Sequence, residues 1–158
     1  MIEKEQDLSF DHVGIVVADV DAASTTLAGL LGRVSWTRRF DDAGLRVSVR
    51  FARDRSGLVY ELIAPLGDAS PVARALKSKT NLLNQIAYRT RSLEASVARL
   101  RTQRAVPVSA PAPALAFGGA RVQFLMTPLG FLFELIETDR ITHDFRSREF
   151  PAQRRSRS

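Results

Sequence analysis

The sequence predicts an α+β fold made of two copies of one strand–helix–strands unit, and three observations carry that expectation. The first is a repeat at a fixed offset of 73 residues: Phe10–Leu27 falls on Leu83–Leu100, with Gln85 on His12, Leu93 on Val20, Ala95 on Ala22 and Leu100 on Leu27. The same offset sets FELI (Phe133–Ile136) on YELI (Tyr60–Ile63) and Val122-Gln123-Phe124 on Val49-Arg50-Phe51, without a gap. The second is periodicity, which passes within each copy from strand alternation to helical spacing and back. The third is composition. At 158 residues, 45% hydrophobic and 25% charged, the chain is one ordinary domain or two small units sharing a core.

Each element has a local reason. Phe10–Val17 is apolar and rich in β-branched residues, as expected of a strand covered on both faces. Asp19 or Asp21 can cap a helix that runs to about Leu31 and stops at Gly32. Arg33–Phe40 is read as an edge strand. Leu45–Arg53 alternates Val47, Val49 and Phe51 with Arg46, Ser48 and Arg50, and Leu58–Ala64 is mostly apolar, so a hairpin turn is expected at Asp54–Gly57. Ser70-Pro71 can start a short helix to about Lys77. The second copy predicts a strand at Leu83–Thr90, a helix at Leu93–Gln103 capped by Ser92, a loop containing Pro107, Pro111 and Pro113, and strands at Ala120–Met126 and Phe131–Glu137. The expected organisation is therefore a βαβββ module over 8–66, a connector over 67–82, a second module over 83–138, and an Arg-rich tail over 139–158.

Composition narrows the partners. The formal net charge of +6 is concentrated at the C-terminus, where Arg140, Arg146, Arg148, Arg154, Arg155 and Arg157 stand against Asp144 and Glu149. The body is nearly balanced, so a nucleic-acid partner is not expected, and the last part of the tail, poor in apolar residues, is expected to be disordered. No apolar run approaches the roughly 20 residues of a bilayer span, and MIEKEQDLSF lacks the basic start and apolar stretch of a secretory leader. The expected setting is cytoplasmic, without a membrane partner. The lack of Cys removes disulfides, Cys-liganded zinc and a Cys nucleophile.

The repeat also carries chemistry. His12 precedes Glu61 by 49 residues, and Gln85 precedes Glu134 by the same 49. Glu61 shares a strand face with Val59 and Ile63, and Glu134 with Leu132 and Ile136, so both carboxylates are predicted among apolar side chains. Burying an unpaired carboxylate costs several kcal/mol, so each requires a cation, a proton or strong donors. If the halves pack as pseudo-symmetric partners, the four side chains converge and a divalent metal neutralises both charges. Taken singly, His12 and Gln85 read more readily as strand residues bonded to backbone, and the two Glu equally well as edge-strand residues facing solvent. His143 reads as a surface residue.

Across residues 8–138 the chain resembles the vicinal oxygen chelate superfamily, which includes glyoxalase I, methylmalonyl-CoA epimerase, extradiol dioxygenases and bleomycin resistance proteins. DHVGIVVADVDAA is similar to the family's opening strand and helix, YELIAPLGDASPVARAL to the second-ligand stretch of the epimerases, NQIAYRTRSLEASVARL to the third-ligand strand and helix, and PAPALAFGGARVQFLMTPLGFLFELIE to the final strands. The resemblance implies an eight-stranded, open barrel-like sheet around a central cleft, with His12, Glu61, Gln85 and Glu134 as metal ligands. It also implies a homodimer, with the site formed within one chain or across a swapped pair.

Gln85 departs from the His usual in epimerase-like relatives, although some glyoxalase I enzymes use a Gln ligand. One nitrogen and three oxygens suit Mn²⁺, Co²⁺, Ni²⁺, Mg²⁺ or a higher-coordinate Zn²⁺. A two-His-one-carboxylate iron site is disfavoured, because the one other histidine, His143, follows the second module. What the resemblance then implies is an isomerase or lyase that moves a proton next to a carbonyl through a metal-stabilised enediolate, on a small anionic substrate. Glu134 and Glu61 are the candidate catalytic bases. The epimerases' additional Glu has no counterpart in GLRVSVRF, where Arg46 and Arg50 share a face and could hold an anionic group or face solvent. The alternatives are a non-catalytic small-molecule binder using the same cleft, and a member acting through protein contacts of the Arg-rich tail.

Overall fold

The computed structural model describes residues 8–80 and 82–146. Strand β1 (Ser9–Val16) leads into helix α1 (Val20–Leu31), whose first turn is held by Asp19, the carboxylate accepting from Ala22 N at 2.7 Å. The helix stops at Gly32, whose φ of 80° lies in the left-handed region that glycine tolerates. Strands β2 (Ser35–Trp36), β3 (Phe40–Asp42), β4 (Val47–Arg53) and β5 (Val59–Pro65) follow, then a short helix α2 (Ala73–Ser78). The second half runs β6 (Leu83–Thr90), α3 (Leu93–Thr102, capped by Ser92), β7 (Val106–Pro107), β8 (Ala112–Pro113), a 3₁₀ turn (Leu115–Phe117), β9 (Arg121–Met126) and β10 (Leu132–Glu137).

The ten strands form one open sheet, in the order β2-β4-β5-β1-β6-β10-β9-β7, with β3 added to β4 and β8 to β9. The count differs from eight. Arg33–Phe40 does not make one edge strand; Ser35–Trp36 and Phe40–Asp42 pair separately with β4, and the proline-rich loop contributes the two-residue β7 and β8. Proline has no N–H to give a ladder, so these pairings stay short and at the sheet margin. Pro71 also lies before α2 rather than in its first turn.

The centre of the sheet reproduces the sequence repeat as a pseudo-two-fold. Strands β1 and β6 run antiparallel side by side, β5 joins β1 in parallel, and β10 joins β6 in parallel. Register slips between Phe10 and His12 on β1, and Leu83 pairs with Ile15 while Gln85 pairs with Gly14. Asp11 and Asn84, equivalent under the 73-residue offset, are therefore the extra residues of two β-bulges.

One face of the sheet packs against α1 through Trp36, Ala52 and Leu62 and against α3 through Leu93, Leu125 and Leu135. The other face is concave and carries a core drawn from both halves, including Val49, Phe51, Ile63, Phe117, Val122 and Ile136. Asp42 ties that face across its mouth. Its two carboxylate oxygens accept from Leu45 N at 3.0 Å and from Leu115 N, in the other half, at 2.9 Å. No helix among the described residues is long and apolar enough to cross a membrane. The Arg-rich stretch beyond Arg146 lies outside the described residues.

Candidate functional site

His12, Glu61, Gln85 and Glu134 meet within one chain at the floor of the concave face. The register explains it. On two adjacent rows of the sheet, His12 sits beside Ala87, which sits beside Glu134, while Gln85 sits beside Gly14, which sits beside Glu61. Each pair is thus two strands apart, bridged over a small residue. The close approach is strict at Gly14, where a Cβ would lie 2.5 Å from Cγ of Gln85.

All four residues are buried, His12 completely. His12 Nε2 is 2.9 Å from Glu61 Oε2 and 3.2 Å from Glu134 Oε2, and Gln85 Nε2 donates to the same two oxygens at 3.0 and 2.6 Å. A cation with ligand bonds of about 2.1 Å has neighbouring donors about 3 Å apart. The His12, Glu61 and Glu134 atoms lie at spacings that fit one divalent ion, with the Gln85 side chain against the same two carboxylate oxygens. To take part, the Gln85 amide would turn over and present Oε1, since an amide N–H₂ has no lone pair to offer.

Electrostatics mark the same place. Burial raises the Glu134 carboxyl; the His12 hydrogen bond opposes this and the Glu61 charge adds to it, leaving its pKa at about 7. Burial favours a neutral His12, yet the Glu61 charge and hydrogen bonds to Asp11, Glu134 and Glu61 hold the imidazole pKa well above its ordinary value. Two carboxylates sharing one proton-bearing ring is the arrangement a divalent ion would replace.

Behind His12 lies a second layer that strand alternation concealed. The bulge turns Asp11 to the same side as His12, and Asp11 Oδ1 accepts from His12 Nδ1 at 2.7 Å. The same oxygen accepts from His143 Nε2, and Arg89 Nε lies 3.1 Å from Oδ2. Burial works against the Asp11 anion, but the bonds from His12 and His143 prevail and hold its pKa far below the carboxylate range. His143 is therefore not a surface residue. Its side chain is 1% exposed, with its ring 4.2 Å from that of Phe51. The sequence offered one cue, that His143 is the second of two histidines, and Asp11 offered none beyond adjacency.

A cleft of about 410 Å³ opens above the floor, walled by Val47, Val49, Ile63, Val72, Ala114, Phe117, Val122 and Phe124, with Glu61, Gln85 and Glu134 at its base. Arg46 stands at its rim, exposed, with φ 57°. Arg50 does not share that face: its Nε donates to Thr37 O at 2.9 Å, and its guanidinium lies over the Trp36 ring on the helix side. The switch of Arg46 into the left-handed region, just before β4 begins, breaks the alternation that placed the two together.

The fold has counterparts among known proteins. A methylmalonyl-CoA epimerase from Mycobacterium tuberculosis superposes with a TM-score of 0.71 at 28% identity, over 89% of this chain and 94% of that one. A hypothetical protein from Bacillus halodurans superposes with a TM-score of 0.73 at 22% identity, over 88% and 100% of the two chains. A variant of Streptomyces coelicolor methylmalonyl-CoA epimerase, in complex with 2-nitronate-propionyl-CoA, gives 0.69 at 22% identity, over 85% and 100%. No curated protein sequence matches the chain. Residues 11–124, carrying three of the four converging side chains, match the glyoxalase/bleomycin resistance protein/dioxygenase superfamily, and the chain belongs to that family.

Proposed function

We propose that this protein is a metal-dependent isomerase that moves a proton next to the carbonyl of a small acyl thioester or a related anionic metabolite. The observation that carries this reading is the convergence of His12, Glu61, Gln85 and Glu134 at the base of a mostly apolar cleft, with the His12, Glu61 and Glu134 atoms at spacings that fit one ion. The epimerase neighbours support the isomerase class and the thioester. A divalent ion held there would supply Lewis-acid polarisation of a substrate oxygen. The chain's own residues would do the rest. Glu134, at the base of the cleft, is the first candidate to take a proton from carbon and to return it. Glu61 is the second candidate base, related to Glu134 by the pseudo-two-fold. The apolar walls exclude water and so strengthen each electrostatic contact inside.

The wall contributed by β4 presents Val47 and Val49 to the cleft, with Phe51 buried in the core beside them. A carboxylate on that side would be needed for a second base facing Glu134 across the substrate. Asp42, the carboxylate on that side of the cleft, is tied to Leu45 N and Leu115 N, which favours chemistry in which the floor carboxylates both remove and return the proton, over exchange between two opposed bases. Metal analysis of tag-free protein tests the reading. It expects close to one equivalent of Mn²⁺, Co²⁺, Ni²⁺, Mg²⁺ or Zn²⁺, and less than about a tenth of an equivalent, with none taken up on reconstitution, would sink it. Solvent deuterium exchange into 2-substituted acyl-CoA thioesters and 2-oxoaldehyde hemithioacetals then separates catalysis from ligand sequestration, which would give binding without exchange.

A further inference from the structure

We propose that His143 is a positioning residue for the ligand set, acting through Asp11 on His12; the inference rests on the metal-binding reading above. His143 lies in the segment after β10, outside the duplicated elements, yet its side chain is fully packed among Phe51, Phe117 and Phe145. Phenylalanine would fill that space equally well. What imidazole adds is the Nε2–H donated to Asp11 Oδ1. It adds this at a cost, because Nδ1 of His143 is buried with no hydrogen-bond partner among the described residues. A buried polar atom left unmatched beside one used bond indicates that the used bond carries the role of the residue.

The geometry shows what that bond controls. Asp11 Oδ1 receives both His143 Nε2 and His12 Nδ1, while Arg89 draws on Oδ2 from the other side. Two donors on one oxygen fix the carboxylate plane against the pull of Arg89. Because ionised Asp11 offers acceptors alone, His12 must carry its proton on Nδ1, which turns Nε2 toward Glu61 and Glu134. A carboxylate behind a metal-facing histidine sets its tautomer and raises its basicity. In this chain the anchor of that carboxylate comes from the C-terminal segment, so residues 139–146 complete a site that the two repeats alone would leave loosely held.

The test compares wild type with His143→Phe, which keeps the packing and removes the donor, and His143→Gln, which returns a donor. Two readouts are taken: Co²⁺ affinity by calorimetry, and the His12 Nδ1–H resonance in the metal-free protein by ¹H–¹⁵N spectroscopy. For a folded His143→Phe, Co²⁺ affinity is expected to fall roughly 10–100-fold with loss of the slowly exchanging ring proton, and His143→Gln should recover part of both. The proposal is overturned if His143→Phe binds Co²⁺ within about twofold of wild type and keeps the ring proton, or if His143→Gln is as impaired as His143→Phe. Should His143→Phe not fold, Asp11→Asn carries the same two expectations. A wild type that binds no Co²⁺ would instead remove the proposed function, and the ring proton alone would then decide the role of His143.

Discussion

The two halves of the sheet place their polar side chains by the same backbone device but support them by different chemistry. In the first half the bulge residue is Asp11, an anion that holds His12 by its far nitrogen. In the second half the equivalent bulge residue is Asn84, and Gln85 is held by the carboxylates themselves, through Nε2. A histidine must have its tautomer and ring plane fixed from behind, whereas an amide has neither a tautomer nor a charge to manage. Duplication thus kept the bulge, the strand register and the carboxylate of each half, while the residue beside the carboxylate diverged together with its support. Burial and the neighbouring Glu61 charge raise Glu134 to about 7.

The largest test of this asymmetry is at the carboxylates. Glu134→Gln is expected to slow deuterium exchange into substrate by about 10²–10⁴-fold while the protein stays folded, since a buried ionisable group is replaced by a neutral isostere. Glu61→Gln should lose less exchange. Equal losses would mean that the two halves share the proton work, and wild-type exchange in Glu134→Gln would remove it from the mechanism.

Exchanging the donors comes next. His12→Gln gives both halves the same amide, and Co²⁺ or Zn²⁺ affinity should drop more than about 100-fold, with Asp11 left facing a side chain that cannot use it. Gln85→His moves the other way. It offers a second imidazole and should raise Zn²⁺ affinity about tenfold while weakening preference for Mg²⁺. Competition calorimetry with the two ions reads both effects. A Gln85→His variant with unchanged ion preference would show that Gln85 stays turned away from the ion.

Much of this was legible in the sequence, and what was not has identifiable causes. The 49-residue spacings, together with apolar neighbours of Glu61 and Glu134, located the four converging residues because parallel pairing of β5 with β1 and of β10 with β6 preserves sequence offsets as spatial ones. Asp11 was concealed because alternation assigns it to the opposite face, and a bulge, which reverses that assignment, leaves no mark in composition. His143 was concealed for a different reason: it reaches Asp11 across 132 residues from a stretch with no strand or helix period. Arg46 and Arg50 were wrongly paired because the strand begins at Val47, two residues later than expected, and Arg46 before it has a positive φ.

Protonation offers a further comparison between metal-free and metal-loaded protein. Glu134 and His12 both have folded pKa values above their unfolded ones. Each therefore favours the metal-free fold below its unfolded pKa, and that contribution is lost as pH rises through the folded value, which for Glu134 is about 7. Metal-free protein should lose thermal stability between about pH 5 and 8, by several degrees for a domain of this size. Metal affinity should climb over the same range, because the ion displaces those protons. Thermal melts with and without Co²⁺ at several pH values would show the two curves separating. Parallel curves would mean that the ion binds elsewhere.

The smallest expected effect isolates the backbone device from the donors. Gly14 lies under Gln85, and Ala87 holds the equivalent place under His12. Gly14→Ala puts a Cβ 2.5 Å from Cγ of Gln85, near the root of the side chain, so the amide must swing off the two carboxylates. A destabilisation of about 1–3 kcal/mol and a few-fold loss of metal affinity are expected, because His12, Glu61 and Glu134 keep their places. Ala87→Gly removes a buried methyl without moving a donor, and should cost about 0.5–1 kcal/mol of stability with metal affinity retained. If the two variants weaken metal binding equally, the rows of small residues matter for strand packing alone. If Gly14→Ala alone weakens it, Gln85 reaches the ion because Gly14 lets it lie flat.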